Sequence, residues 1–190
     1  MRLFIAIAPP PAELDDLESR LEPLRASWPA LRWAGRPSWH LTLAFLGDVT
    51  VEAAATLEPR LERAAGRYPS LSLRIAGAGA FPSPRRARVL WTGIGGDREA
   101  LTALARSVAA GARRAGAPPP DEGRKFRPHL TLARCNEPAS IADLVSALAG
   151  YEGAPWTATE IHLIRSHLGG DAPKYETRGT WPLRSGRDGA

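Results

Sequence analysis

Residues 40–46 read His-Leu-Thr-Leu-Ala-Phe-Leu, and residues 128–134 read Pro-His-Leu-Thr-Leu-Ala-Arg. The pentapeptide His-Leu-Thr-Leu-Ala thus occurs twice, and its histidines stand 89 residues apart in a chain of 190. Alternation of apolar and polar residues over this length predicts a half-buried strand. Side chains two apart on a strand share a face. His40 therefore lies beside Thr42 and His129 beside Thr131, while the intervening leucines point into the core of each lobe. A shared pentapeptide at half-length points to an internal duplication into two lobes.

Outward from these strands, strands and helices alternate. Arg2–Ala8 reads as a strand that ends at Pro9, Pro10 and Pro11. Leu14, Leu17, Leu21 and Leu24 mark a helix that Pro23 should bend. Arg32–Ala34 suits a short strand before the Gly35–Pro37 turn. Gly47-Asp48 closes the strand 40–46. Thr50 then caps a helix carrying Val51, Leu57 and Leu61, with a kink expected at Pro59. Strands over Leu71–Ala80 and Arg88–Ile94 flank a loop at Phe81–Arg86. A long helix covers Asp97–Ala115, and a Pro- and Gly-rich loop follows at Ala117–Gly123. A helix over Ser140–Ala149 and strands over Thr157–Leu168 and Tyr175–Leu183 complete a domain spanning 1–184. Residues 185–190 read as a flexible tail. The pattern is that of an α+β protein. The first strand is followed by no Gly-rich turn, which excludes a dinucleotide fold of the usual kind.

Two imidazoles and two hydroxyls brought to one cleft suit phosphodiester chemistry. A neutral imidazole takes a proton from an attacking water, and a protonated one gives a proton to the departing oxygen. An unperturbed histidine titrates near ~6.5, so both forms are accessible near neutrality. Hydroxyls and an arginine hold the non-bridging oxygens as charge develops.

Composition fits an anionic partner. The formal charge is +5, and of 25 basic residues only Lys125 and Lys174 are lysines. The arginine fork grips phosphate in a bidentate way, although a chain this rich in Ala, Gly, Pro and Arg has that bias everywhere. Cys135 is the lone cysteine, which suits a reducing cytoplasm. The apolar run at the N-terminus is too short for a signal peptide and no segment approaches a membrane span. His162 and His167, five apart, would face opposite sides of a strand and have no metal-ligand spacing with Cys135. They read as surface or satisfied-core residues. Tyr175 could stack on a base but suits packing better, and most of the six Trp suit core or lobe-interface positions.

The sequence resembles the two-histidine phosphoesterases, and within them the bacterial and archaeal RNA 2′,3′-cyclic phosphodiesterases, also called 2′-5′ RNA ligases. The resemblance rests on the doubled His-x-Thr together with RLFIAIAPP (2–10), WHLTLAFLGDV (39–49), RVLWTGI (88–94), KFRPHLTLAR (125–134), IHLIRSHL (161–168), Tyr175 and TWPL (180–183). It implies two pseudo-symmetric lobes, each a mainly antiparallel sheet with outer helices, around a central cleft. It also implies His40 as proton donor, His129 as proton acceptor, and Thr42, Thr131 and Arg134 as phosphate contacts. Strict alternation would put Arg134 on the face opposite His129, so its role requires the strand to end or bulge there. No cofactor and no metal are expected. The expected partner is RNA ending in a 2′,3′-cyclic phosphate, tRNA halves included, and the protein is expected to be a cytoplasmic monomer.

Joining activity, if present, would be reversal of ring opening without ATP. Neither Lys125-Phe-Arg-Pro nor Lys174-Tyr-Glu-Thr fits the Lys-x-Asp-Gly of an adenylylated lysine, and no G-x-x-x-x-G-K-[ST] loop occurs. Two other functions compete: turnover of a small cyclic nucleotide or ADP-ribose cyclic phosphate, and RNA binding without catalysis.

Overall fold

The structure, a computed structural model, describes residues 1–120, 125–167, 169 and 173–185. Among the described residues, nine strands form two sheets. The first runs in the order β3 (Leu41–Asp48), β1 (Arg2–Ile7), β8 (Glu160–His167), β9 (Lys174–Pro182). The second runs β2 (Arg32–Trp33), β6 (His129–Ala139), β5 (Ala87–Gly96), β4 (Leu71–Phe81), β7 (Trp156–Ala158). Every pairing between these strands is antiparallel. The expected α+β class and paired antiparallel sheets are what the chain adopts.

The four described helices are α1 (Pro11–Ser27), α2 (Val51–Ala65), α3 (Arg98–Arg114) and α4 (Ala142–Ala149). α3 packs on both β3 and β4, α2 on β9 and on α3, and α4 on β4. Thr50 caps α2 as its sequence demands, its Oγ1 accepting from Ala53 N–H at 3.2 Å. Pro23 and Pro59 end neither helix. Both prolines are exposed, so the backbone carbonyl that each deprives of a donor can turn to water instead. The loop expected at 81–86 contains one 3₁₀ turn, Pro84–Arg86.

Two expectations need correcting. Thr157–Leu168 is not one strand: β7 belongs to the second sheet and β8 to the first, and the chain crosses between them at Thr159. Leu168 lies outside the described residues, as do parts of the 117–123 loop and of the 185–190 tail. The leucines of the two motifs also do not enter separate cores. Leu41, Leu43, Leu130 and Leu132 are all buried in one continuous cluster with Leu57, Leu61, Leu101 and Leu104 from the helices.

The lobes are interleaved in sequence. The first sheet takes strands from both ends of the chain, and the second takes the middle plus the two-residue β2. Strand by strand, β3-β1-β8-β9 corresponds to β6-β5-β4-β7, which places the two motif strands equivalently.

One contact fixes the surface of the second sheet. Trp91 on β5 is paired with Gly79 on β4, and its indole lies across that glycine. A Cβ at position 79 would stand 2.2 Å from Trp91 Cζ2. Trp91 is also held by Phe81, with ring centroids 5.4 Å apart. Gly79→Ala is expected to force this ring off its seat and to cost about 1–3 kcal/mol, as overpacking does. Urea denaturation monitored by tryptophan fluorescence reads both effects. A loss below about 0.5 kcal/mol with unchanged emission would mean that the indole is not seated there.

Candidate active site

Both pentapeptides contain the same irregularity. In the pairing of β1 with β3, Ile5 faces Ala44 but Ala6 faces Thr42, so Leu43 is extra. In the pairing of β5 with β6, Leu90 faces Ala133 but Trp91 faces Thr131, so Leu132 is extra. A bulge puts two successive residues on one side. Leu43 and Ala44 are both buried, and so are Leu132 and Ala133. The residue after each bulge then returns to the face of the histidine and threonine. That residue is Phe45 in one copy and Arg134 in the other. The condition on Arg134 is therefore met by a bulge at Leu132, and β6 continues to Ala139.

These faces are the ones turned away from the core and its helices. Register extends each across its sheet. Thr42, Ala6 and His162 form one row, and Phe45, Phe4 and Ile164 the next. Opposite them, Thr131 is in line with Trp91 and Gly79, and Arg134 with Val89 and Phe81. The two motif strands pack against each other where the sheets meet. Ala34 N–H donates to Leu132 C=O at 2.8 Å, six residues before His40.

Each histidine is set among aromatic rings, but by different means. His40 precedes β3 and lies edge-on to Phe4 at 5.5 Å and to Tyr175 at 5.0 Å. Tyr175 Oη in turn donates to Ser38 Oγ at 3.4 Å. His129 is edge-on to Phe81 at 5.1 Å and close to Trp91 at 6.3 Å. Its Nδ1–H donates to the backbone carbonyl of Arg127 at 2.6 Å. A carbonyl only accepts, so this bond puts the proton on Nδ1 and leaves the Nε2 lone pair free.

Burial depresses both imidazoles. His40 is lowered to about 4 by burial and then by the neighbouring His162. His129 is lowered chiefly by burial; the Arg127 carbonyl opposes the shift, and Arg134 adds to it. The effect of Arg134 on His129 agrees with the bulge, since both then share one face.

Sequence reasoning missed three residues here. His162 is a third imidazole on the His40 face, held by Thr180 Oγ1 at 3.0 Å from Nδ1 and by Glu160 at 3.5 Å from Nε2. Burial lowers it and Glu160 raises it. Its position comes from pairing with Ala6 two strands away from Thr42, which local spacing does not reveal. His167 is exposed and bound to Glu176. Trp91 lines the second sheet instead of the core. Arg2 stacks on Phe45 at 4.9 Å and so puts a guanidinium where the first lobe lacks an equivalent of Arg134. Tyr175 is packed against Phe4, Ala6 and Ile164.

Two sheets with a histidine, a threonine and an arginine on each helix-free face define a class, the two-histidine phosphoesterases. A profile of the 2′-5′ RNA ligase superfamily matches residues 9–170. An RNA 2′,3′-cyclic phosphodiesterase of Escherichia coli (strain K12) is 31% identical over 96% of both chains. One of Aeropyrum pernix is 34% identical over 74% of this chain and 79% of its own. The crystal structure of TT0787 of Thermus thermophilus superposes with a TM-score of 0.77 at 26% identity, covering 97% of this chain and 99% of that one. The chain belongs to the 2′-5′ RNA ligase superfamily.

The lowered histidines predict how stability follows pH. A histidine lowered by folding takes its proton first in the unfolded chain, whose value is near ~6.5. Stability is therefore full above ~6.5 and falls as the pH drops from there toward 4, where His40 itself becomes charged. His129 and His162 act in the same direction. His40→Asn is expected to shallow this loss when unfolding free energy is measured between pH 7 and 4. An identical pH slope in the variant would show that His40 is not depressed by the fold.

Proposed function

We propose that this protein is an RNA 2′,3′-cyclic phosphodiesterase that opens the ring with His129 as base and His40 as acid. The observation that carries this assignment is the Nδ1–H bond of His129 to the Arg127 carbonyl, which leaves Nε2 as an acceptor. Among the described residues the His40 ring has no hydrogen bond that fixes its tautomer.

Water attacks phosphorus, and His129 Nε2 takes its proton. The P–O3′ bond breaks in line, and His40 delivers its proton to O3′. The products are a 2′-phosphomonoester and a free 3′-hydroxyl. His129 is left charged and His40 neutral, and exchange with solvent resets both. Thr42, Thr131 and Arg134 donate to the non-bridging oxygens. Both protons are carried by imidazoles, so the mechanism asks for no metal and no cofactor. Joining of 2′,5′ ends is the same ring opening with the 5′-hydroxyl of a second RNA attacking in place of water, without ATP. The substrates are RNA ends, tRNA halves among them, met in the cytoplasm by a monomeric enzyme. Among the described residues no helix is long and apolar enough to cross a membrane.

A histidine lowered to about 4 is mostly uncharged at neutral pH, which is the wrong form for an acid. The substrate corrects this. A phosphate anion about 4 Å away interacts with an imidazolium by about 4 kcal/mol at an effective dielectric near 20. That is enough to bring His40 back to near-neutral titration. The acid is thus charged by the substrate it serves.

This coupling has a kinetic signature. The profile of kcat/KM reports the free enzyme and that of kcat the complex. Both limbs of kcat should lie at higher pH than those of kcat/KM, and superimposable profiles would refute substrate-linked charging.

The residue roles are tested on an RNA oligomer ending in 2′,3′-cyclic phosphate, with EDTA present. Product analysis should find only 2′-phosphate ends. His40→Ala and His129→Ala should each slow turnover by about 10²–10⁴-fold, and the double variant should be little worse than the slower single. Exclusive 3′-phosphate ends would sink the assignment of His40 as the donor to O3′, though not the enzyme class. Near-wild-type turnover in either histidine variant would favour a binding protein without catalysis.

A further inference from the structure

We propose that Arg32 binds the phosphodiester immediately 5′ of the nucleoside carrying the cyclic phosphate, so that the site grips an RNA chain as well as its end. The proposal rests on the function argued above. Arg32 is the direct cross-strand partner of Arg134, through the pairing of β2 with β6. Cross-strand partners point to the same side of a sheet. Arg134 is on the His129 face because of the bulge at Leu132, so Arg32 projects from that face too.

The neighbouring residue fastens this orientation. Trp33 pairs with the buried Ala133 and turns to the core side. Its indole N–H donates to Trp28 C=O at 3.1 Å, and the Arg25 guanidinium stands 5.9 Å from its ring. β2 has only two residues, and anchoring Trp33 inward leaves Arg32 outward.

Arg32 is exposed, and its side chain makes no ion pair or hydrogen bond among the described residues. Nearby arginines differ: Arg25 is bound to Glu18, and Arg36 to Asp15 and the Pro11 carbonyl. Two guanidiniums in direct register, with no carboxylate between them, repel each other. An anionic chain passing over both relieves that repulsion.

Position separates their roles. Arg134 shares β6 with His129 and Thr131, next to where the cyclic phosphate reacts. Arg32 is one strand further out, on the last strand of the sheet at that edge. Strands lie ~4.8 Å apart, and an arginine fork is several ångströms long. The charge of Arg32 therefore falls about one nucleotide from the reacting phosphorus. The next anion in an RNA chain ending at this site is the phosphodiester on the 5′ side of the terminal nucleoside.

The test removes each partner in turn. One substrate is an RNA oligomer ending in 2′,3′-cyclic phosphate. In a second, a neutral methylphosphonate replaces the linkage next to the terminal nucleoside. In a third, the methylphosphonate is moved one linkage upstream. Wild-type kcat/KM should fall about tenfold with the adjacent methylphosphonate, the range of one charge-assisted contact, and little with the upstream one. Arg32→Ala should lose a similar factor on the all-phosphate oligomer, mainly through KM, with no further loss on the adjacent methylphosphonate. Its log kcat/KM should also fall less steeply with log salt, by about 0.7 for a single-strand contact. Arg32→Lys should keep the salt slope while losing part of the affinity. The proposal is overturned if the two losses multiply, if Arg32→Ala is neutral, or if the upstream substitution matters equally. A wild-type protein that opens none of the three rings overturns the functional assignment itself.

Discussion

The site depends on one backbone feature, the bulge at the fourth residue of His-Leu-Thr-Leu-Ala. A regular strand of seven residues can show its first, third, fifth and seventh side chains on one face. Here the fifth residue, Ala44 or Ala133, is turned inward and the sixth outward. Histidine, threonine and a larger side chain thereby gather on one face, while two leucines and an alanine enter the core. Moving the pairing by one residue would bury the imidazoles and expose the leucines. The shared core makes that slip costly, because Leu41, Leu43, Leu130 and Leu132 are all packed in it. The geometry of the site is thus held by apolar burial on the far side of the same strands.

That anchoring also sets the electrostatics. Imidazoles held against a packed sheet, with aromatic rings at their edges, lose hydration, and the charged form suffers most. Both histidines are consequently biased toward neutrality. A neutral histidine suits a base, and the Arg127 carbonyl, by holding the proton on Nδ1, leaves Nε2 of His129 able to take the part proposed for it. His40 is edged by the rings of Phe4 and Tyr175, with His162 beyond. In the proposed mechanism it would gain its charge from the substrate anion.

Much of this could be read from the chain itself. The strand assignments around the motifs, the cap at Thr50, and the pairing of His40 with Thr42 and His129 with Thr131 follow from local period and local chemistry. The bulge could be stated only as a condition, because its cause is a pairing with Trp91 and Leu90, far away along the chain. His162 escaped for the same reason: its neighbour on the face is Ala6, across a strand pair that no spacing rule predicts. The break at Thr159 is marked in the chain only by Thr159 and Glu160, two polar residues that interrupt the alternation of Trp156 and Ala158 with Ile161 and Leu163, and such an interruption does not tell which sheet receives each strand. Arg32 escaped because a two-residue strand carries almost no periodicity.

The differences between lobes explain how one repeated pentapeptide supplies two unlike groups. After the bulge the first copy continues with Phe45 and the second with Arg134. The first therefore extends its apolar patch, with Phe4, Ala6, Ile164 and Tyr175 packed together. The second extends a cationic edge, with Arg134 and Arg32 side by side. A fixed positive charge beside His129 opposes its protonation and so favours its neutral form, the one the proposed base needs. No fixed positive charge lies among the groups that lower His40, only its burial and another titratable imidazole. The neutral state of His40 is therefore one that a nearby anion, as proposed for the substrate phosphate, could reverse. The same bulge in both copies, followed by Phe45 in one and Arg134 in the other, thus gives the two histidines unlike surroundings, which is what the proposed division into acid and base requires.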